Sequence, residues 1–286
     1  MALLQAYKGK LEKLSLQKLL FLVCEKQKTP SYEFIPYLFG CYSYSAKADL
    51  NTMVQKGLLI DDEFSYMKKD SKNYLALLED DDRRLINQTF ILYQKFDGNS
   101  LMKHTYRNFP YFAINSITAK HLLTEREFKK VQEYQFRSKE TIMYTIGYEG
   151  ISLESYLNKL IQNDIRVLID VRNNPISQKF GFSSSQLKRF CESIKIEYFN
   201  FRDVGIASDY RQELKTQEDY DKLFDNYWKK TLSKTISTQH KILELVKKHG
   251  RIALTCFEAD ICQCHRKHLA QAVTDLPDWK YKLIHL

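Results

Sequence analysis

From residue 142 to the last residue, short apolar runs alternate with amphipathic stretches of helical length, and this alternation constrains the fold more than any other feature. Ile-Met-Tyr-Thr-Ile (142–146) reads as a buried strand running into Gly147-Tyr148-Glu149-Gly150. Ser152 then caps a helix with Leu153, Tyr156, Leu157, Leu160 and Ile161 on one face. A second strand is expected over 167–171, an amphipathic helix over 183–194 and a third strand over 197–201. A long helical region covers about 219–248, a fourth strand 252–256, a helix 264–273 and a final strand 281–286. Strands separated by helices of this length predict an α/β fold, a mostly parallel sheet with flanking helices, over 142–286.

The first 120 residues have a different rhythm and read as mostly helical. Leu16, Leu19, Leu20, Val23 and Cys24 lie at helical spacing, and Pro30 marks the end of that helix. After the turn around Gly40, Ser43 or Ser45 can cap a helix from Ala46 that carries Leu50, Met53 and Val54 inward. Gly57 stops it before the extended Leu58-Leu59-Ile60. Helix, turn, helix and hairpin is the layout of a winged helix-turn-helix, so a smaller, mainly α, winged-helix-like domain is expected over 1–117. Residues 118–141 are charged and helical and are expected to connect it to the α/β part. The aromatic and basic run 106–112 reads as an inter-domain packing element. Leu16-Gln17-Lys18-Leu19-Leu20 followed by Phe39-Gly40-Cys41-Tyr42-Ser43 resembles the Panacea antitoxin-type domain, with Cys41 in place of the usual proline. That resemblance spans about 60 residues and implies a module that docks on DNA or on a protein partner.

Composition narrows the class. Forty-four Lys and Arg against 35 Asp and Glu give a formal charge of +9. Such a balance suits a polyanion partner such as nucleic acid, and equally a lysine-rich solvated surface. The 19 tyrosines and 17 phenylalanines can stack on bases or fill cores. The longest apolar run, 19–24, is far short of the ~20 residues that span a bilayer, so no membrane partner is expected. Lys8, Lys10, Glu12 and Lys13 break any secretory core, and six cysteines with three inside 256–264 do not form a disulfide framework. The expected location is cytoplasmic.

Ligands of open α/β sheets bind outside the carboxyl ends of the strands. Those ends carry Tyr148 and Glu149; Asp170, Arg172, Asn174 and Ser177; and Cys256, Glu258, Asp260, Cys264, His265 and Arg266. Arg172 and Arg266 can hold an anion bidentately, with Tyr148, Glu149, Asn174 and Ser177 as further substrate contacts. Glu258 and Asp170 are candidate acids or bases, and Cys264 and His265, at a helix start, a candidate thiolate and its partner. Asp170 with Arg172 or Arg266 also fits a structural ion pair, and Cys256 a small buried side chain. Thr145-Ile146-Gly147, Asp170-Val171-Arg172 with Pro175 and Ser177, and Cys256-Phe257-Glu258 with Cys264-His265-Arg266 together resemble the domain of unknown function family numbered 488. Asp260-Ile261-Cys262 replaces the proline usual before Cys-His-Arg, and Gly205-Ile206 the usual double glycine. The resemblance implies work near nucleic acids.

Two other chemistries match parts of the pattern. The strand around Asp170 is similar to an early rhodanese strand, but the Cys-x4-Arg nucleophile loop is missing after Cys256. Cys256, Cys262, Cys264 and His265 offer four soft zinc ligands, yet Cys264 and His265 are adjacent and would diverge on a helix. No metal ligand and no cofactor is assigned. The expected function is a nucleic-acid- or nucleotide-processing enzyme, through glycosidic-bond hydrolysis or modified-base processing, with an N-terminal DNA- or partner-binding module. The alternative is a non-catalytic antitoxin-like or transcriptional regulator whose α/β domain senses a nucleotide.

Overall fold

The structure, a computed structural model, describes residues 1–207, 214 and 216–286. It divides into two compact units, Met1–Gln135 and Phe136–Leu286.

The first unit runs α1 (Ala2–Ala6), β1 (Lys10–Glu12), α2 (Lys13–Cys24), β2 (Ile35–Tyr37), β3 (Gly40–Tyr42), α3 (Tyr44–Gln55), β4 (Leu59–Asp61), β5 (Ser65–Lys68), α4 (Asp80–Tyr93), α5 (Gly98–Asn108), α6 (Ala119–Leu122) and α7 (Glu125–Glu133). Strands β1, β5 and β4 form an antiparallel sheet in that order, and β2 pairs with β3. Two of the buried polar residues of α2 fasten it to the β3–α3 turn. Gln17 exchanges two hydrogen bonds with the Ser43 backbone, and the buried Lys18 ammonium donates to the Cys41 carbonyl at 2.7 Å. Burial pushes the Lys18 pKa down. Ser43 is the α3 cap, its hydroxyl accepting from Ala46 N.

The segment 118–141 contains the boundary between the units, and its helical part packs on the first: Ala119, Leu123 and Val131 join a core cluster with Met102, Tyr106 and Ala113, so α6 and α7 are part of the first unit. Phe109 and Phe112 pack edge-on against Phe21 inside that unit, at 4.9 and 4.7 Å between ring centroids.

The second unit runs β6 (Ile142–Gly147), α8 (Leu153–Gln162), β7 (Val167–Asp170), α9 (Ser184–Ser193), β8 (Glu197–Asn200), α10 (Gln217–Lys230), α11 (Ile236–His249), β9 (Arg251–Cys256), α12 (His265–Thr274) and β10 (Lys282–His285). The five strands form one parallel sheet in the order β10-β6-β9-β7-β8. Met143, Val167, Ile169, Ile252, Leu254 and Cys256 alternate onto one face and share a core with α10, α11 and α12. On the opposite face Tyr156 of α8 donates its hydroxyl to Thr255 Oγ1. The inner strands β6, β7 and β9 are buried along their whole length, as a parallel sheet covered on both faces requires. The helical region 219–248 is two helices separated by a 3-10 turn, Leu232–Lys234. Ser233 and Thr235 there hydrogen-bond back to the carbonyls of Lys229 and Thr231, the local competition that makes such residues poor in helix interiors.

Strand order fixes where a site can form. The chain leaving β7 travels outward to β8, whereas the chain leaving β9 travels the other way, past β6 to β10. A crevice therefore opens at the carboxyl ends of the neighbours β7 and β9, the switch-point position of α/β sheets.

Candidate functional site

The three strand-end segments expected to converge do so, and two glycines allow it. A Cβ on Gly147 would collide with the Glu258 carbonyl, and one on Gly205 with the Asn173 backbone. Tyr148 N and Glu149 N both donate to the Phe257 carbonyl, and the Glu149 carboxylate accepts from Ala259 N at 3.0 Å. The loops after β6 and β9 are in this way tied together by backbone.

At the end of β7, Asp170 is fully buried and Arg172 is 6% exposed. Arg172 Nε and Nη2 donate to the two oxygens of Asp170 at 2.8 and 2.5 Å, while Nη1 reaches the Tyr148 hydroxyl at 2.6 Å and Nη2 also the Phe182 carbonyl. Tyr198 of β8 donates to Asp170 Oδ2 at 2.7 Å, and Asn200 to its carbonyl. Burial works against the Arg172 cation, but the Asp170 carboxylate outweighs it and the guanidinium pKa is raised. Tyr148 stacks on Phe182 with centroids 4.2 Å apart, and burial raises its phenol pKa against the opposing pull of Arg172. The Ser177 hydroxyl also bonds the Tyr148 phenol.

At the end of β9, Arg266 is buried and donates to the backbone carbonyls of Glu258 and Ala259, at 2.5 and 3.2 Å; its Nε has no hydrogen-bond partner among the described residues. Glu258 is half-buried. His265 is buried, with Nε2 3.0 Å from the Val171 carbonyl and Nδ1 3.7 Å from Cys256 Sγ. Cys264 is also buried, and the helix-start effect does not win there: burial, reinforced by the neighbouring Cys256 thiol, raises the Cys264 pKa well above the usual thiol value. Cys262 is exposed and lies against Lys267 instead.

A cavity of about 310 Å³ lies over this crevice, lined by Tyr148, Arg172, Asn173, Asn174, Ile176, Ser177, Ile206, Cys256 and Phe257. It gathers four of the ten residues singled out in the sequence: Tyr148, Arg172, Asn174 and Ser177. Glu149, Asp170, Glu258, Cys264, His265 and Arg266 lie outside its wall; Glu149, Asp170, His265 and Arg266 brace the loops that form it, and Cys264 packs in the core beneath. Sequence reasoning missed Ile176 and Phe257, which are 76% and 43% exposed. Their signal was there: each is a bulky apolar residue in a strand-end loop, with no periodic pattern to bury it. A larger cavity, about 800 Å³, lies along α10 and shares only Ile206 with this one; none of the ten residues lines it.

Residues 152–273 match the family model described as Domain of unknown function DUF488. The C-terminal half thus matches the family that its strand-end motifs resemble. The match begins at the α8 cap, ends inside α12 and does not extend into the first unit. No curated protein and no solved structure matches the chain. Among the described residues, no helix is long and apolar enough to cross a membrane.

Proposed function

We propose that the DUF488-matching unit is an enzyme acting on a nucleic acid or nucleotide, with glycosidic-bond hydrolysis or processing of a modified base as its reaction class. The observation that carries this reading is the cavity at the β7–β9 switch point. Its volume is at the small end of ligand sites, roughly 300–1,000 Å³, the scale of one nucleobase with part of its sugar. Its lining combines the Arg172 cation and the amides of Asn173 and Asn174 with the Tyr148 and Phe257 rings. Rings offer stacking to a base, and the guanidinium offers charge to a phosphate or carbonyl. A base within a duplex has to leave the stack to enter. In this reading Arg172, Tyr148, Asn174 and Ser177 contact substrate, and Glu258, on the loop beside Phe257, is the acid or base. Asp170 acts through Arg172, whose orientation it fixes, and Arg266 holds the Glu258 loop by its carbonyls.

The first unit, in this proposal, is a winged-helix-like module that brings the enzyme to DNA or to a partner protein. Its support is the order α1-β1-α2, then α3-β4-β5, with β1 pairing beside the β4–β5 hairpin. The Panacea-like residues have a physical role that supports the same reading, because Gln17 and Lys18 hold the turn leading into α3. A cytoplasmic location is part of the proposal, supported by six cysteines none of which is in a disulfide.

One observation favours the second reading, a nucleotide-sensing regulator without turnover: Asp170 is closed to solvent, which removes one of two carboxylates from reach of a substrate. Incubating the full chain with plain and base-modified DNA and with free nucleotides, and resolving products by chromatography and mass spectrometry, separates the two. The enzyme reading expects a released base or altered nucleotide, with turnover lowered at least 100-fold by Glu258→Gln, the scale of a lost general acid. Salt-sensitive binding with no product sinks it, and turnover unchanged by that variant removes Glu258 from the acid or base role.

A further inference from the structure

We propose that Cys256, Cys264 and His265 form a site for a thiophilic divalent cation, zinc foremost, where the end of β9 meets the start of α12. The proposal goes beyond the functional reading above and does not depend on it.

The sequence argument against this trio was that adjacent residues on a helix diverge. The backbone removes the objection. Cys264 is the residue before the helix, with φ −125° and ψ 132°, and helical geometry begins only at His265. An extended residue beside a helical one is not bound to the 100° step between helix neighbours, so both side chains can reach Cys256. The donor atoms of the three residues all lie within 4.8 Å of one another, and Cys256 Sγ is 3.7 Å from His265 Nδ1. Zinc bonds of about 2.3 Å to sulfur and 2.0–2.1 Å to nitrogen, at tetrahedral angles, place donors roughly 3.5–3.8 Å apart. The Cys256–His265 spacing already has that value, and no gap in the trio needs to close by more than about 1 Å.

The imidazole is presented in the form a metal requires. A carbonyl only accepts, so the 3.0 Å contact with Val171 O assigns the proton of the neutral ring to Nε2. The Nδ1 lone pair then faces the sulfur of Cys256. A backbone carbonyl fixing the tautomer from behind is the outer-shell arrangement of histidine metal ligands. Two sulfurs and one imidazole are soft to borderline donors, which select zinc over magnesium or calcium. Three protein ligands leave a fourth position for water or substrate, as in catalytic zinc sites. Cys256 also lines the 310 Å³ cavity, which gives such a ligand its route. Cys262, exposed and outside the trio, supplies an internal control.

The test is a cobalt titration of the full chain after stripping with a chelator, followed by zinc. Expected are one cobalt per chain, a thiolate-to-cobalt charge-transfer band with tetrahedral visible absorption, and bleaching of both by one equivalent of zinc. Cys256→Ser and Cys264→Ser should each lower the charge-transfer intensity by about half per cobalt or abolish binding, while Cys262→Ser leaves it unchanged. Wild-type protein that binds no cobalt, or binds it without the thiolate band, overturns the proposal whether or not the serine variants fold. So does a band that Cys262→Ser removes, or one that keeps its full intensity per cobalt in both core variants.

Discussion

The ends of β7 and β9 lie side by side and looked alike in the sequence, each with an acidic residue and an arginine, yet the structure uses them in opposite ways. At β7 the arginine meets a carboxylate: Arg172 and Asp170 form a two-pronged pair, with Tyr148, Tyr198 and the Phe182 carbonyl completing the bonds. At β9 the arginine's hydrogen bonds go to backbone: Arg266 donates to the carbonyls of Glu258 and Ala259, and its Nε has no hydrogen-bond partner among the described residues. The difference separates a strand end whose carboxylate is closed off by its ion pair, with Arg172 left at the cavity wall, from one whose buried arginine braces a loop.

The largest effect should come from opening the closed end. Arg172→Met leaves Asp170 buried with its countercharge gone, which costs about 3–5 kcal/mol of folding stability. The matching Arg266→Met forfeits two hydrogen bonds to the carbonyls of a loop that solvent reaches and should cost less, about 1–2 kcal/mol. Urea denaturation of the two variants measures the contrast. Equal losses would mean that the two arginines do the same job, and the comparison fails.

A smaller effect tests what holds the two ends together. Gly147→Ala drives a methyl group into the Glu258 carbonyl. Overpacking of this kind costs about 1–3 kcal/mol. Because the obstacle is backbone, the relief must be a shift of the β9 loop, and the 310 Å³ cavity should change with it. Crystal structures of the variant and of the parent check this: a loop left where it was, with stability unchanged, refutes the close-packing account.

These particulars show which parts of the molecule were legible beforehand. Every strand of the second unit was expected to within a residue or so, and for the inner three the reason is that a parallel sheet covered on both faces writes itself as short apolar runs. The convergence of 147–149, 170–177 and 256–266 was legible for the same reason, since strand ends of one sheet share a rim. What each rim residue would do was not. Whether Asp170 is an accessible base or a buried partner depends on Tyr198, 28 residues away and brought alongside by the pairing of β7 with β8. The Cys256–Cys264–His265 trio was set aside because one backbone torsion, at Cys264, is invisible in residue spacing. In the first unit, β1 and β5 pair across more than fifty residues with only three or four residues each, too short to leave a periodic trace.

The mildest prediction probes the same asymmetry through pH. Burial raises the pKa of Tyr198, and the Asp170 carboxylate raises it further; burial also raises those of Tyr148 and Tyr156. A raised native pKa means the folded state prefers the neutral phenol. The associated stability is complete below the unfolded value of about 10 and is lost as pH rises toward the native value. Each such tyrosine steepens the alkaline limb by up to about 1.4 kcal/mol per pH unit. Tyr198→Phe should cost only about 0.5–1.5 kcal/mol at pH 7, since Asp170 keeps both bonds from Arg172. Above pH 10 the variant should lose stability more slowly than the parent, by one proton's worth of slope, so that the two curves converge and then cross. Denaturant midpoints from pH 7 to 11 read this directly. Parallel curves would show that the phenol is not confined by the β7 ion pair, and the picture of that strand end as sealed would have to be given up.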